Sequence, residues 1–392
     1  MGCPTGLENR LARFIIELDF GYEHDLLVVS QKIHQKLRIN LQDVCNIYHY
    51  KYNKFYKKPA FLRPILLKRW LKNRSEAIVI CYSQLSQPRL LETVFENQRS
   101  ATRIYYEGGI LWHKPASFKS LLSRFDLYVA NSTGSKIILR DKFAIPAEKI
   151  TVIFNGIPRN YCDESQGSFI LNSQNQAATK STKGFSLLYL GRLVPKKAVN
   201  VLIRAMQYLP IDYHLMIVGD GTERAPLQRL ARKLAVSEKV TFHGFKLDPR
   251  PFLKMADVLV VPSVSEPMGN VVLEGAAFGL PIVASAVDGN CDILVHGQSG
   301  VLISPTVSLE EMQGDFSGKH FPTHVTDPFR DCLMPPRLIE PIKLAEWITR
   351  IREDENLRKK LATGARLRVM SKFLMKDTVS QFNCLLQNIH GS

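Results

Sequence analysis

Short apolar runs recur along the chain, spaced so that a helix fits between each pair. LLVVS (26–30), AIVICY (77–82), TRIYY (102–106), LYVAN (127–131) and ITVIF (150–154) form a first series. SLLYLG (186–191), YHLMIVG (213–219), VTFHG (240–244), DVLVVP (257–262), PIVAS (281–285) and VLI (301–303) form a second. Runs that are apolar on both faces and alternate with helical stretches predict parallel strands covered by helices on each side. The expected fold class is therefore α/β, with two open parallel-sheet domains in series. The first should span residues 1–158. A Ser/Gln/Asn-rich linker or insertion should follow over 159–183, then a second domain over 184–370 with a Pro-rich loop insertion near 306–340. Residues 371–392 read as a closing helix that crosses back to the first domain.

In such a domain a glycine-bearing turn normally follows the first strand. Here Gly6 stands almost at the start, in PTGLENRLARFIIEL, with no strand ahead of it. The expectation is that the first domain lacks that strand or that the chain begins downstream of it.

Composition narrows the class. Among 392 residues, 45% are hydrophobic and 22% charged, an ordinary globular balance. No run approaches the roughly 20 apolar residues of a membrane-spanning helix, and the N-terminus lacks the pattern of a secretion signal. Seven cysteines occur with no CxxC pair, which argues against a disulfide framework or zinc knuckle and for a cytoplasmic protein.

Charge adds a partner. The net charge is +16, but residues 1–160 hold 25 Lys/Arg against 13 Asp/Glu, or +12, leaving +4 for the remainder. The excess peaks over Lys51–Arg74, which has nine basic residues, no acid and interleaved aromatics. Such a stretch suits an anionic lipid surface, which would make the protein peripheral on the inner face of a membrane. A nucleic-acid backbone fits less well because no nucleic-acid module accompanies it, and a merely solvated basic face is the plain alternative.

Candidate chemistry collects where strands end. Gly191-Arg192-Leu193-Val194-Pro195-Lys196-Lys197 follows the strand SLLYLG, and a guanidinium with an ammonium at such a turn can neutralise a departing diphosphate. Gly219-Asp220-Gly221 closes a similar turn. DVLVVP runs into Ser263-Val264-Ser265-Glu266-Pro267-Met268-Gly269-Asn270, followed by the short helix VVLEGAAFG, which carries Glu274. Glu266 just before that helix and Glu274 about one turn inside it flank the backbone N–H groups of Gly269, Asn270 and Val271, a favourable place for phosphate. The competing readings are a plain turn at Gly6, two surface cations in GRLVPKK, and a core ion pair between Glu274 and Arg192. No Asp-x-Asp dyad suited to a metal stands at a strand end, so no metal and no cofactor is expected.

GRLVPKK, SEPMGNVVLEGAAFGLPIVAS and DGNCDILVHGQSGVLI, preceded by ANSTGSKIILRDKFAIPAEKITVIFNGI, resemble the retaining glycosyltransferases of family four, the group 1 type. The resemblance covers residues 130–330 and thins toward the N-terminus, where only TGLE (5–8) is similar. It implies the GT-B architecture, two Rossmann-like domains facing across a cleft, and transfer of a hexose or N-acetylhexosamine from a UDP- or GDP-sugar to a glycan or glycolipid acceptor, with the anomeric configuration retained. Glu266 would hold the donor sugar's hydroxyls and Glu274 the ribose. Arg192 and Lys197 would stabilise the diphosphate, aided by Met268, Gly269, Asn270, Val271 and Gly6, while Gly219, Gly244 and Phe245 frame the base. Glu107-Gly108-Gly109 stands where many members carry a histidine. The alternatives are a non-catalytic nucleotide-binding homologue and a sugar-nucleotide epimerase on the same fold.

Overall fold

Two clusters of buried apolar side chains, one on each face of a six-stranded parallel sheet, account for most of the second half of the chain. The computed structural model describes residues 25–28, 46–49, 62–72, 78–82, 88–159, 161, 184–316 and 321–390. The chain divides into two units. One comprises residues 1–108, 117–129 and 375–392; the other comprises 109–116 and 130–374.

In the first unit, strands β1 (Asp25–Val28) and β2 (Asn46–His49) pair in parallel. The mixed segment NIYH carries no apolar run, which is why no strand is expected there from sequence. Helix α1 (Leu62–Leu71) follows. Strand β3 (Ile78–Tyr82) runs parallel to β4 (Thr102–Glu107), with β5 (Leu127–Ala130) on the other side of β4. Phe125 packs edge to face with Phe95 and with Tyr128 of β5, and tilted against Tyr105 of β4. The helix Met375–His390 belongs to this unit and sets Phe382 against Tyr106. Gly6, the segment TGLE and the stretch 163–183 lie outside the described residues.

The second unit begins its strands with β6 (Ile150–Val152). Its large sheet contains β7 (Phe185–Leu190), β8 (Tyr213–Val218), β9 (Val240–Gly244), β10 (Val258–Val261), β11 (Ile282–Ser285) and β12 (Val301–Ile303). Their order is β12-β11-β10-β7-β8-β9, parallel throughout. Successive residues alternate between the faces. Leu187, Leu215, Val258, Val260 and Val283 enter one cluster, whereas Leu188, Met216, Leu259, Val261 and Ile282 enter the other. Helix Pro341–Glu353 covers the first face through Leu344 and Ile348, and helix Glu355–Lys372 covers the second through Ala365 and Val369. Burying each such side chain contributes about 1.5–3 kcal/mol, so a strand apolar on both faces stays central in the sheet.

This strand order places the site. The chain enters at β7, winds outward through β8 and β9, then returns to lay β10 against the other edge of β7. At that reversal the two loops leaving β7 and β10 diverge to opposite faces and open a crevice at the strands' carboxyl ends.

The stretch 306–340, expected as a loop, forms two antiparallel strand pairs. Strand β13 (Val307–Ser308) pairs with β16 (Arg337–Leu338), and β14 (Val325–Asp327) with β15 (Cys332–Met334). Val325, Leu338 and Ile339 are fully buried in the first cluster, and these scattered apolar contacts hold the stretch down despite its prolines.

Candidate functional site

The site is built where β7, β8, β9 and β10 end, entirely within the second unit. After β7 the chain turns at Gly191, places Leu193 in the core, and makes a single turn of 3-10 helix over Pro195–Lys197. The hydroxyl of the buried Tyr189 donates to the Arg192 carbonyl oxygen (2.9 Å) and fixes this turn. The turns after β7, β8 and β9 then stack. Gly191 N–H donates to Val218 O (3.0 Å), Gly219 N–H to Gly244 O (2.9 Å) and Leu193 N–H to Asp220 O (2.9 Å). Phe245, just beyond, is exposed.

After β10 the chain passes through Glu266, 8% exposed, and the buried Met268 to Gly269, whose left-handed conformation (φ 72°) opens the helix Asn270–Ala277. Asn270, Val271 and Glu274 are half-buried along that helix, and the Oδ1 atom of Asn270 is enclosed with no hydrogen-bond partner. Glu274 therefore lies one turn beyond Gly269, as its spacing predicts.

Lys197 and Glu266, 69 positions apart, form an ion pair, and Ser263 Oγ also donates to the Glu266 carboxylate (3.2 Å). The loops are tied by Val264 N–H donating to Lys196 O (2.8 Å). Arg192 is exposed and makes no side-chain hydrogen bond or ion pair among the described residues, so the core pair with Glu274 is not formed. It is close enough to influence both Tyr189 and Lys196 electrostatically.

Three features were not singled out from sequence. Lys196 Nζ meets His113 Nε2 at 3.0 Å. Burial first, then the charges of Lys197 and Arg192, push the Lys196 ammonium down to about 8, with Glu266 and Asp288 pulling the other way. Asp288 is completely buried beside Glu266. Asp292 accepts from Thr133 N–H (2.9 Å) and Thr133 Oγ1 (2.5 Å), closing the start of the helix Thr133–Ile137. Asp288 and Asp292 sit in DGNCD, where acids beside Gly and Asn read as ordinary turn residues.

Burial pushes the Asp292 carboxyl up to about 6, against the hydrogen bonds from Thr133 and the charge of Arg368. An acid whose folded value exceeds its unfolded value holds its proton more tightly when folded. Its contribution is present below about pH 4 and is lost as pH rises to about 6, a change of at most about 3 kcal/mol. Asp292→Asn should flatten this part of the profile. Urea unfolding at pH 4.5 and pH 7 checks it, and an unchanged difference between the two would refute the assignment.

Residues 172–315 match the family described as Glycosyl transferases group 1. The match lies within the second unit and takes in its whole six-stranded sheet. The chain is similar to the lipopolysaccharide core biosynthesis glycosyltransferase LpsE of Rhizobium meliloti (strain 1021), 41% identical over 117 residues, or 30% of this chain and 34% of that protein. LpsD of the same organism is 29% identical over 192 residues, 49% of this chain and 46% of LpsD. The chain thus spans a third to a half of the length of these curated relatives. Among solved structures, Anabaena Alr3699/HepE in complex with UDP and glucose superposes with a TM-score of 0.74 at 20% identity, over 99% of this chain and 97% of that one. That likeness shows the fold, the GT-B type expected from the sequence. The matched residues include β7 to β12 and, with them, Arg192, Lys197, Glu266 and Glu274. Among the described residues no group of His, Cys, Asp and Glu could hold a metal ion, and no helix is long and apolar enough to cross a membrane.

Proposed function

We propose that the chain transfers a hexose or N-acetylhexosamine from a UDP- or GDP-sugar to a glycan or glycolipid acceptor, with retention of configuration. The observation that carries this reading is the Lys197–Glu266 pair at the reversal of the sheet, with the exposed Arg192 on the same turn as Lys197. As the bond from the anomeric carbon to the diphosphate oxygen breaks, its electron pair goes to the diphosphate. Cations already fixed there favour the transition state over the ground state, which lowers the barrier. The acceptor hydroxyl forms the new bond on the same face and its proton passes to the departing oxygen. Glu266 would hold the sugar hydroxyls, Glu274 the ribose, and Gly219, Gly244 and Phe245 the base. Met268, Gly269, Asn270 and Val271 would line the phosphate side. Arg192, Lys197 and the N-terminus of the 270–277 helix supply the positive charge, so the reaction should need no divalent cation or cofactor.

The test is a panel of nucleotide sugars assayed for transfer or hydrolysis, with EDTA. Turnover of one donor supports the reading; binding of a nucleoside diphosphate without turnover of any donor returns the non-catalytic alternative.

The basic stretch Lys51–Arg74 is proposed to rest on anionic lipid. Its part over 51–61 and 73–74 lies outside the described residues. On α1, Leu67 and Leu71 are buried, while Leu62, Ile65, Leu66, Lys68, Arg69 and Lys72 are exposed. At 100° per residue the exposed six share one arc on which Ile65 lies between Lys72 and Arg69, so cationic and apolar side chains are interleaved on one face that could meet anionic lipid. Binding to vesicles should rise with anionic lipid and fall with salt; indifference to both would exclude it.

A further inference from the structure

Asp288 follows β11 in the left-handed conformation (φ 47°) and has no exposed surface. A buried carboxylate is costly unless its oxygens are satisfied. Here both are. Oδ2 accepts from Ser265 Oγ and from Glu266 N–H, each at 2.9 Å. Oδ1 accepts from Thr326 N–H and Thr326 Oγ1, each at 2.8 Å. The exchange is mutual, since Asp288 N–H donates to Thr326 O (3.1 Å) and Gly289 N–H donates to Glu266 O (3.0 Å). Both backbone polar groups of Glu266 are thus held by the Asp288–Gly289 turn.

Thr326 is delivered by β14, from the stretch with no sequence pattern. The far end of that hairpin is pinned by Arg140, which donates to Asp331 Oδ2 (2.6 Å) and Asp331 O (2.8 Å). The helix Thr133–Ile137 closes the other side, where a Cβ on Gly134 would stand 2.6 Å from Thr326 Oγ1. Little room remains for Thr326 to take another position.

We propose that Asp288 and Thr326 are positioning residues for glycosyl transfer, the hairpin clamping the backbone of Glu266 so that its carboxylate meets Lys197 and the donor sugar. This rests on the reading that Glu266 contacts the donor. An amide at position 288 offers one acceptor oxygen for two backbone N–H groups, so Asp288→Asn leaves either Glu266 or Thr326 facing an NH2 group.

The test is a double-mutant cycle in kcat/KM, with Tm measured on each protein. Thr326→Val should lower kcat/KM about 10- to 100-fold, the scale of a lost hydrogen bond to a charged group, and Thr326→Ser should restore it to within about threefold. In a Glu266→Ala background, Thr326→Val should add less than about twofold, because both act through one group. Should Thr326→Val fold poorly, Ser265→Ala removes one donor beside Glu266 and should show the same non-additivity. An equal loss in both backgrounds overturns the proposal. A crystal structure of Thr326→Val gives a readout without turnover: Glu266 should swing away from Lys197, and an unmoved carboxylate overturns the proposal even if no donor is consumed. Inactive wild-type protein with a displaced Glu266 in the variant would instead count against the transfer reading alone.

Discussion

Lys197→Met should slow sugar transfer about 100- to 1,000-fold while destabilising the fold by about 3–5 kcal/mol. Methionine keeps most of the stem and removes the ammonium, so lost packing is a minor part. The Lys197 and Glu266 side chains are only 15% and 10% exposed, and removing the cation leaves Glu266 as a poorly solvated charge. Ser263 Oγ and its neighbours compensate it only in part. The double substitution Lys197→Met/Glu266→Gln separates the two effects. With no charge left to bury, it should recover at least half of the lost stability. On the proposed reading its turnover should stay low, since neither diphosphate nor sugar would then meet the partner proposed for it. Denaturant unfolding beside steady-state kinetics on the three proteins checks this. A double variant no more stable than the single one would mean that the pair is not electrostatically coupled.

The largest loss of stability is expected from Gly219→Ala. The backbone at Gly219 has φ 146°, and a Cβ there would sit 1.8 Å from the Gly191 carbonyl oxygen, on a rigid turn. The two turns cannot separate without breaking the bonds from Gly191 N–H to Val218 O and from Gly219 N–H to Gly244 O. A cost of about 4 kcal/mol or more follows, enough to leave much of the second unit unfolded. Gly297 is the control. Its φ is 70° but nothing lies within 4 Å of its Cβ position, so Gly297→Ala should cost about 1–2 kcal/mol. Thermal unfolding of both variants tests this, and similar Tm values for the two would show that the close approach of the turns is not what requires glycine.

What was legible in the sequence follows the physics of burial. Strands β7, β8 and β10 to β12 lie at their apolar runs because a central parallel strand must be apolar on both faces. GRLVPKK and SEPMGN stand out because cations, acids and glycine directly after such strands have no packing purpose. What joins them was not legible. Lys197 meets Glu266 only because β10 returns beside β7, a fact of strand order. Thr326 reaches Asp288 from a stretch whose few apolar anchors, Val325, Leu338 and Ile339, are too scattered to show a period. His113 meets Lys196 across 83 positions, which no local pattern reports.

Calorimetric titration of the wild-type chain with nucleoside diphosphates and with the matching monophosphates is the most direct test of the cationic turn. If Arg192 and Lys197 bind the outer phosphate, UDP or GDP should bind about tenfold or more tightly than UMP or GMP, the worth of one charge-assisted contact. Equal affinities of the diphosphate and monophosphate for both bases would contradict it.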